Sequence, residues 1–155
     1  MLLQTLEPII REHPFYRGLA EAHLKLIVEC AKTARFAEGE VLFREGDPAD
    51  WFYLIREGLV AVEVNVPHGD RITLQTVGEG DVVGWSWLFP PYRWYFDAKA
   101  LQPTQMLAFD GRCLRTKCDS DHDLGYELIK RAANTLRERL EAARLQLLDM
   151  YAPRP

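Results

Sequence analysis

Residues 36–64 read FAEGEVLFREGDPADWFYLIREGLVAVEV, and this stretch decides the fold. Gly39, Gly46 and Gly58 cut it into runs rich in aromatic and β-branched residues that are too short for helices but suit strands. In LVAVEVNV (59–66), Val60, Val62, Val64 and Val66 alternate with Ala61, Glu63 and Asn65, giving one apolar face and one mixed face. PHGD (67–70) then turns the chain into RITLQTV (71–77), which predicts a hairpin. The same punctuation continues through Gly69, Gly78, Gly80 and Gly84 to Phe109, as in an all-β sandwich or barrel.

Outward from this region the hydrophobic period becomes helical. Upstream, Leu2–Ile10 and Ala20–Ala31 carry apolar residues at helical spacing, with Leu24, Ile27, Val28 and Ala31 on one face, and HPFYRG (13–18) interrupts them. Downstream, the period is helical to Met150, with Asp110 and Asp121 placed as N-caps. The chain therefore divides into a helical lead-in (1–33), a strand-rich region (34–110), C-terminal helices (111–150) and a tail (151–155). The predicted class is α+β, mainly β.

A chain of 155 residues buries enough surface to fold without covalent staples. Its net charge of −4 and lack of a basic stripe argue against nucleic-acid and anionic-membrane surfaces. Gln4, Glu7 and Arg11 break the apolar opening, so it does not read as a signal peptide, and no long apolar run follows. A soluble cytoplasmic protein is expected. The three cysteines, Cys30, Cys113 and Cys118, are an odd number without a secretory context and are expected to be reduced thiols.

The stretch 36–64, followed by LQTVGEGDVVG (74–84), resembles the cyclic-nucleotide-binding domain of the catabolite activator protein superfamily. Phe36, Gly39, Glu40, Gly46, Asp47, Asp50, Phe52, Tyr53, Ile55, Gly58, Val60, Gly78, Gly80, Asp81 and Gly84 carry the resemblance. HPFYRGLAEAHL (13–24) resembles the family's helical start through Phe15, Gly18 and Leu19. What the resemblance implies for the strand-rich region 34–110 is an eight-stranded β-roll, a double-stranded β-helix or jelly roll, with N-terminal helices and a long C-terminal helix.

VGWSWLFPPYRWYFDA (83–98) falls where that family carries its phosphate-binding cassette, here spanning 84–97. The family's cassette has a glycine, a glutamate for the ribose hydroxyl, and an arginine for the cyclic phosphate followed by a small residue. Here Gly84 is kept, Trp85 stands at the glutamate position, Arg93 lies near the arginine position and Trp94 replaces the small residue. An indole donates one hydrogen bond and accepts none, so Trp85 lacks the carboxylate's chemistry. By the resemblance, the ligand-binding candidates are Leu74, Gly84, Trp85, Ser86, Trp87, Arg93 and Trp94.

Three arrangements fit these residues. The aromatics could fill the vacant pocket, with Arg93 stacked on a ring. They could remodel it for another small anion paired with Arg93, or bind cAMP or cGMP through an unusual cassette. A cyclic nucleotide is the less expected ligand, and no cofactor is identified with certainty.

Ile129, Ala133, Leu136, Leu140, Ala143, Leu147 and Met150 follow alternating steps of four and three, the seam of a left-handed coiled coil. At 3.6 residues per turn the seam runs about six turns, more than a roll can cover. A partner helix is expected to cover it, and the resemblance points to a parallel homodimer. The family's transcription factors continue into a helix-turn-helix, whereas this sequence ends in YAPRP (151–155), so output through a protein partner is expected instead of DNA contact.

Enzymatic chemistry is not expected. Cys113, Cys118 and His122 match no zinc spacing, and His13, His23 and His68 are scattered, leaving no cupin-like metal cluster. No nucleophile elbow or phosphate-cradling loop before a helix is present. The sequence thus reads as a non-enzymatic, ligand-sensing regulatory module in signal transduction. A ligand-independent dimerisation or adaptor scaffold is the alternative.

Overall fold

A computed structural model describes residues 2–152, with side chains from Leu6 onward. Helices α1 (Leu2–Glu12) and α2 (Glu21–Val28) precede eight strands: β1 (Ala31–Phe36), β2 (Val41–Phe43), β3 (Trp51–Glu57), β4 (Leu59–Val64), β5 (Ile72–Gly78), β6 (Val82–Val83), β7 (Asp97–Ala100) and β8 (Thr104–Asp110). Helices α3 (Gly111–Ser120) and α4 (His122–Tyr151) follow. The strands form two four-stranded sheets, ordered β1-β8-β3-β6 and β2-β7-β4-β5, and every pairing is antiparallel. This is the expected jelly-roll architecture with a long C-terminal helix.

The alternation of β3 divides the interior into two cores. Phe52 and Leu54 face the helices, packing with Leu24, Ile27, Leu114 and Leu128. Tyr53 and Ile55 face the second sheet, packing with Val60, Val77 and Ala98. The sheet is therefore buried on both sides, which accounts for the unbroken apolar run WFYLI. The hairpin of β4 and β5 forms as expected, pairing Val60 with Val77 and Val64 with Ile72. Both caps also form: Asp110 accepts from the Cys113 N–H, and Asp121 accepts from the Leu124 N–H, each at 3.1 Å.

Two expectations are corrected. The helical reading of Ala20–Ala31 is too long, because α2 ends at Val28 and Ala31 already pairs with Phe109 in the β1–β8 ladder. Long-range strand pairing overrides the local period there. The thiols of Cys30 and Cys113 are not free: they form a disulfide with a Cα–Cα distance of 5.6 Å across 83 residues of sequence. The register Ala31↔Phe109 and the bond from the Asp110 N–H to the Cys30 carbonyl bring them together, and α3 then starts at Gly111 beside Cys30. The α4 helix also runs one residue into the expected tail, to Tyr151. Residues 153–155 lie outside the described residues.

The lead-in is fastened to the roll by a neutral histidine. The Phe15 N–H donates to His13 Nδ1 at 3.1 Å, so the ring proton resides on Nε2, which donates to the Ile55 carbonyl at 3.2 Å. Burial holds the His13 pKa below its ordinary 6.5; Arg17 pushes the same way, while the Ile55 carbonyl and Asp81 oppose it. As pH falls through 6.5, the unfolded chain takes up a proton that the folded ring refuses, so stability falls. Urea midpoints should therefore drop on the acid side of that value, and His13→Asn should flatten the dependence while lowering stability at neutral pH.

Candidate functional site

The cassette segment begins at Gly84, immediately after β6, and ends at β7. Its aromatics do not form one cluster. Trp85 and Trp87 point toward the helices: Trp85 packs on Phe15 and Phe52, with ring centroids 5.6 and 5.0 Å apart, and Trp87 lies 5.3 Å from Phe52. Both belong to the core beneath the helices, and both indole N–H groups are buried without a hydrogen-bond partner among the described residues. Burial of two such donors costs free energy, which the aromatic packing must offset.

Trp94 takes the opposite direction, into the space between the sheets. Its indole stacks on Phe43 with centroids 3.8 Å apart and an interplanar angle of 9°, and it is 3% exposed. Gly84 has φ +80°, and a Cβ there would overlap the Trp94 ring. Glycine is thus needed twice at this position, for the left-handed backbone and for the indole that lies over it. Backbone pairing holds Trp94 in place, since its N–H donates to the Asp47 carbonyl and its carbonyl accepts from the Gly46 N–H.

Arg93 points the other way. Its side chain is exposed and donates to the Gly46 carbonyl at 3.2 Å, and among the described residues it stacks on no aromatic ring. Ser86 is buried beside the tryptophans, whereas Leu74 is exposed on β5, an edge strand, and belongs to neither core. The structure therefore brings Gly84 and Trp94 together, places Trp85 and Trp87 under the helices, and leaves Arg93 and Leu74 at the surface. Phe43, the stacking partner of Trp94, was not singled out by the sequence; nothing in VLFREG marks it, because the contact depends on the β2–β7 pairing.

Two arginines tie the long helix to the rest of the chain: Arg131, which also makes the i,i+4 pair with Glu127 that the helix spacing allows, and Arg139. Arg131 donates to the carbonyls of Phe15 and Arg17 at 2.8 and 3.0 Å, fixing the first turns of α4 to the lead-in. Arg139 donates to the Val82 carbonyl of β6, two residues before Gly84. Burial lowers the Arg139 pKa, and Asp81 and Glu138 partly restore it. The buried stripe of α4 is Leu124, Gly125, Leu128 and Ala132. All seven seam residues, from Ile129 to Met150, are exposed and stay uncovered by the chain's own roll.

The family described as the cyclic nucleotide-binding domain matches residues 33–121. The anaerobic regulatory protein of Bacillus subtilis is 30% identical over 127 residues, covering 81% of this chain and 53% of that protein. A CRP-like cAMP-activated global transcriptional regulator of Mycobacterium tuberculosis is 22% identical over 85% of this chain and 59% of its own length. The chain thus spans under two thirds of these curated relatives. Among solved structures, the regulatory subunit of a cAMP-independent protein kinase A from Trypanosoma brucei superposes with a TM-score of 0.75 at 21% identity, over 94% of this chain and 52% of that one. That likeness shows the fold.

The opposed environments of neighbouring residues 93 and 94 give opposed expectations. Trp94→Ala should cost about 3–5 kcal/mol through loss of buried aromatic surface. Arg93→Ala, which removes one exposed hydrogen bond, should cost no more than about 1 kcal/mol. Denaturation curves of the two variants against the parent measure both.

Proposed function

This chain belongs to the cyclic nucleotide-binding domain family, and we propose that it is a non-enzymatic regulatory module whose roll interior is closed by Trp94 and whose output runs through a homodimer formed by α4. The observation that carries the first half is the Trp94 indole stacked on Phe43 over Gly84. A ligand between the sheets would have to displace that ring, and Trp85 lies under the helices with no carboxylate to offer a ribose. The Arg93 guanidinium is exposed and engaged with the Gly46 carbonyl. Neither cAMP nor cGMP is the ligand under this reading. A neighbour in fold is itself named the regulatory subunit of a cAMP-independent protein kinase A.

The second half rests on the exposed seam. Leu136, Leu140, Leu147 and Met150 stand 41%, 63%, 54% and 77% exposed on a helix that continues far beyond its last buried residue, Ala132. Apolar side chains at coiled-coil spacing on a helix of 30 residues fit a second copy of the same helix. The relatives whose names describe regulators support a role in transmitting a signal, here to a protein partner that reads the dimer.

Calorimetry with cAMP and with cGMP should show no binding tighter than about 100 μM; a Kd at or below about 10 μM would show that Trp94 yields to a nucleotide and would overturn the closed-roll reading. Light scattering at tens of micromolar, the order expected for a moderate dimer, should find a dimer. Leu136→Glu with Leu140→Glu should convert it to a monomer without unfolding the roll. A monomeric parent protein would remove the dimer from the proposal while leaving the nucleotide result untouched.

A further inference from the structure

The Cys30–Cys113 disulfide joins the helical lead-in to α3. Cys30 lies between α2 and β1, and Cys113 lies in the first turn of α3. From α3, Arg115 donates to the Trp87 carbonyl and stacks on the Tyr92 ring at 4.0 Å, and Gly111 closes against Trp87 Cβ. At its other end α3 packs Cys118 against Gly125 of α4, and Asp121 caps α4. The helix is therefore in contact with the cassette segment and with α4, and a covalent bond pins it to the lead-in.

The two sulfurs differ in access. Cys30 is 5% exposed within the core under the helices. Cys113 is half-buried and lines an open groove of about 730 Å³ with Leu26, Arg112, Thr116, Lys117 and Ser120. The groove also holds Asp110 and Asp121, whose carboxylates are engaged in capping, and Lys117 pairs with Glu29. Arg112 is the groove's cation without an ion pair among the described residues, and an incoming thiolate would meet its charge.

We propose that Cys113 is a thiol–disulfide exchange site for a small thiol that enters this groove, and that opening the bond releases α3 from the lead-in. The thiolate attacks the Cys113 sulfur, forming a mixed disulfide there, while the Cys30 sulfur leaves with the bonding pair and takes up a proton. A second molecule of the thiol attacks the mixed disulfide, giving the Cys113 thiol and the oxidised small disulfide. In total two thiols are oxidised and the protein gains two hydrogens. Cys118 does not act as the resolving thiol: it faces a different cavity with Leu88, Tyr92 and His122, and burial together with Asp119 and Asp121 pushes its pKa up to about 11.

The test uses the full chain purified without reductant, with dithiothreitol and reduced glutathione as probes. Before reduction, alkylation under denaturing conditions should label Cys118 alone, and the mass should be lower than the reduced chain by two hydrogens. Glutathione should give an adduct that peptide mapping places on Cys113. Hydrogen exchange within residues 111–120 should quicken about tenfold on reduction, while β3 and β8 keep their protection. Cys30→Ser with Cys113→Ser should reproduce the faster exchange; if that variant does not fold, the dithiothreitol titration of the parent supplies the same readout. Three alkylatable cysteines in the unreduced chain, an adduct on Cys30, or unchanged exchange in α3 would overturn the proposal. Repeating the exchange measurement in the Leu136→Glu, Leu140→Glu background keeps the result independent of the dimer reading.

Discussion

The burial of β3 on both of its faces is the constraint from which the remaining architecture follows. Between β8 and β6, its Phe52 and Leu54 require cover from helices, and its Tyr53 and Ile55 require cover from a second sheet. A strand with apolar side chains on both faces cannot sit at a surface without leaving a large part of that area in water. The helices α1, α2, α3 and the first turns of α4 supply one cover, and the sheet β2-β7-β4-β5 supplies the other.

That division assigns the tryptophans. A chain leaving β6 at Gly84 can send successive side chains to either core, and it sends Trp85 and Trp87 to the helical side before returning Trp94 to the inter-sheet side. The indoles are consequently structural on both sides of one sheet. The same short segment thus contributes side chains both to the core between the sheets and to the core beneath the helices.

The long helix combines two regimes. Its first turns are held by Leu124, Leu128 and Ala132 and by the Arg131 bonds, and Arg139 adds a last tether to β6. Beyond Leu140 the side chains that remain are exposed, and their apolar seam faces away from the chain's own core. A rigid, well-anchored base and an uncovered apolar extension are what a helix needs to carry a displacement from the roll to another surface. The disulfide acts at the joint, where α3 meets both the base of α4 and Trp87.

Local chemistry in the sequence determined the glycine-punctuated strands, the hairpin 59–78, the caps at Asp110 and Asp121, and the seam of α4, because each depends on residues within a few positions of one another. The family resemblance added the roll and located the cassette. The tertiary structure alone decided which way Trp85, Trp87, Arg93 and Trp94 point, and that Cys30 reaches Cys113. Those outcomes depend on register between segments far apart in the chain: Phe43 meets Trp94 through the β2–β7 pairing, and Cys30 meets Cys113 through Ala31↔Phe109. Spacing along the sequence carries no information about such meetings, because the separation of 83 residues between the cysteines is closed by strand pairing and not by any local pattern.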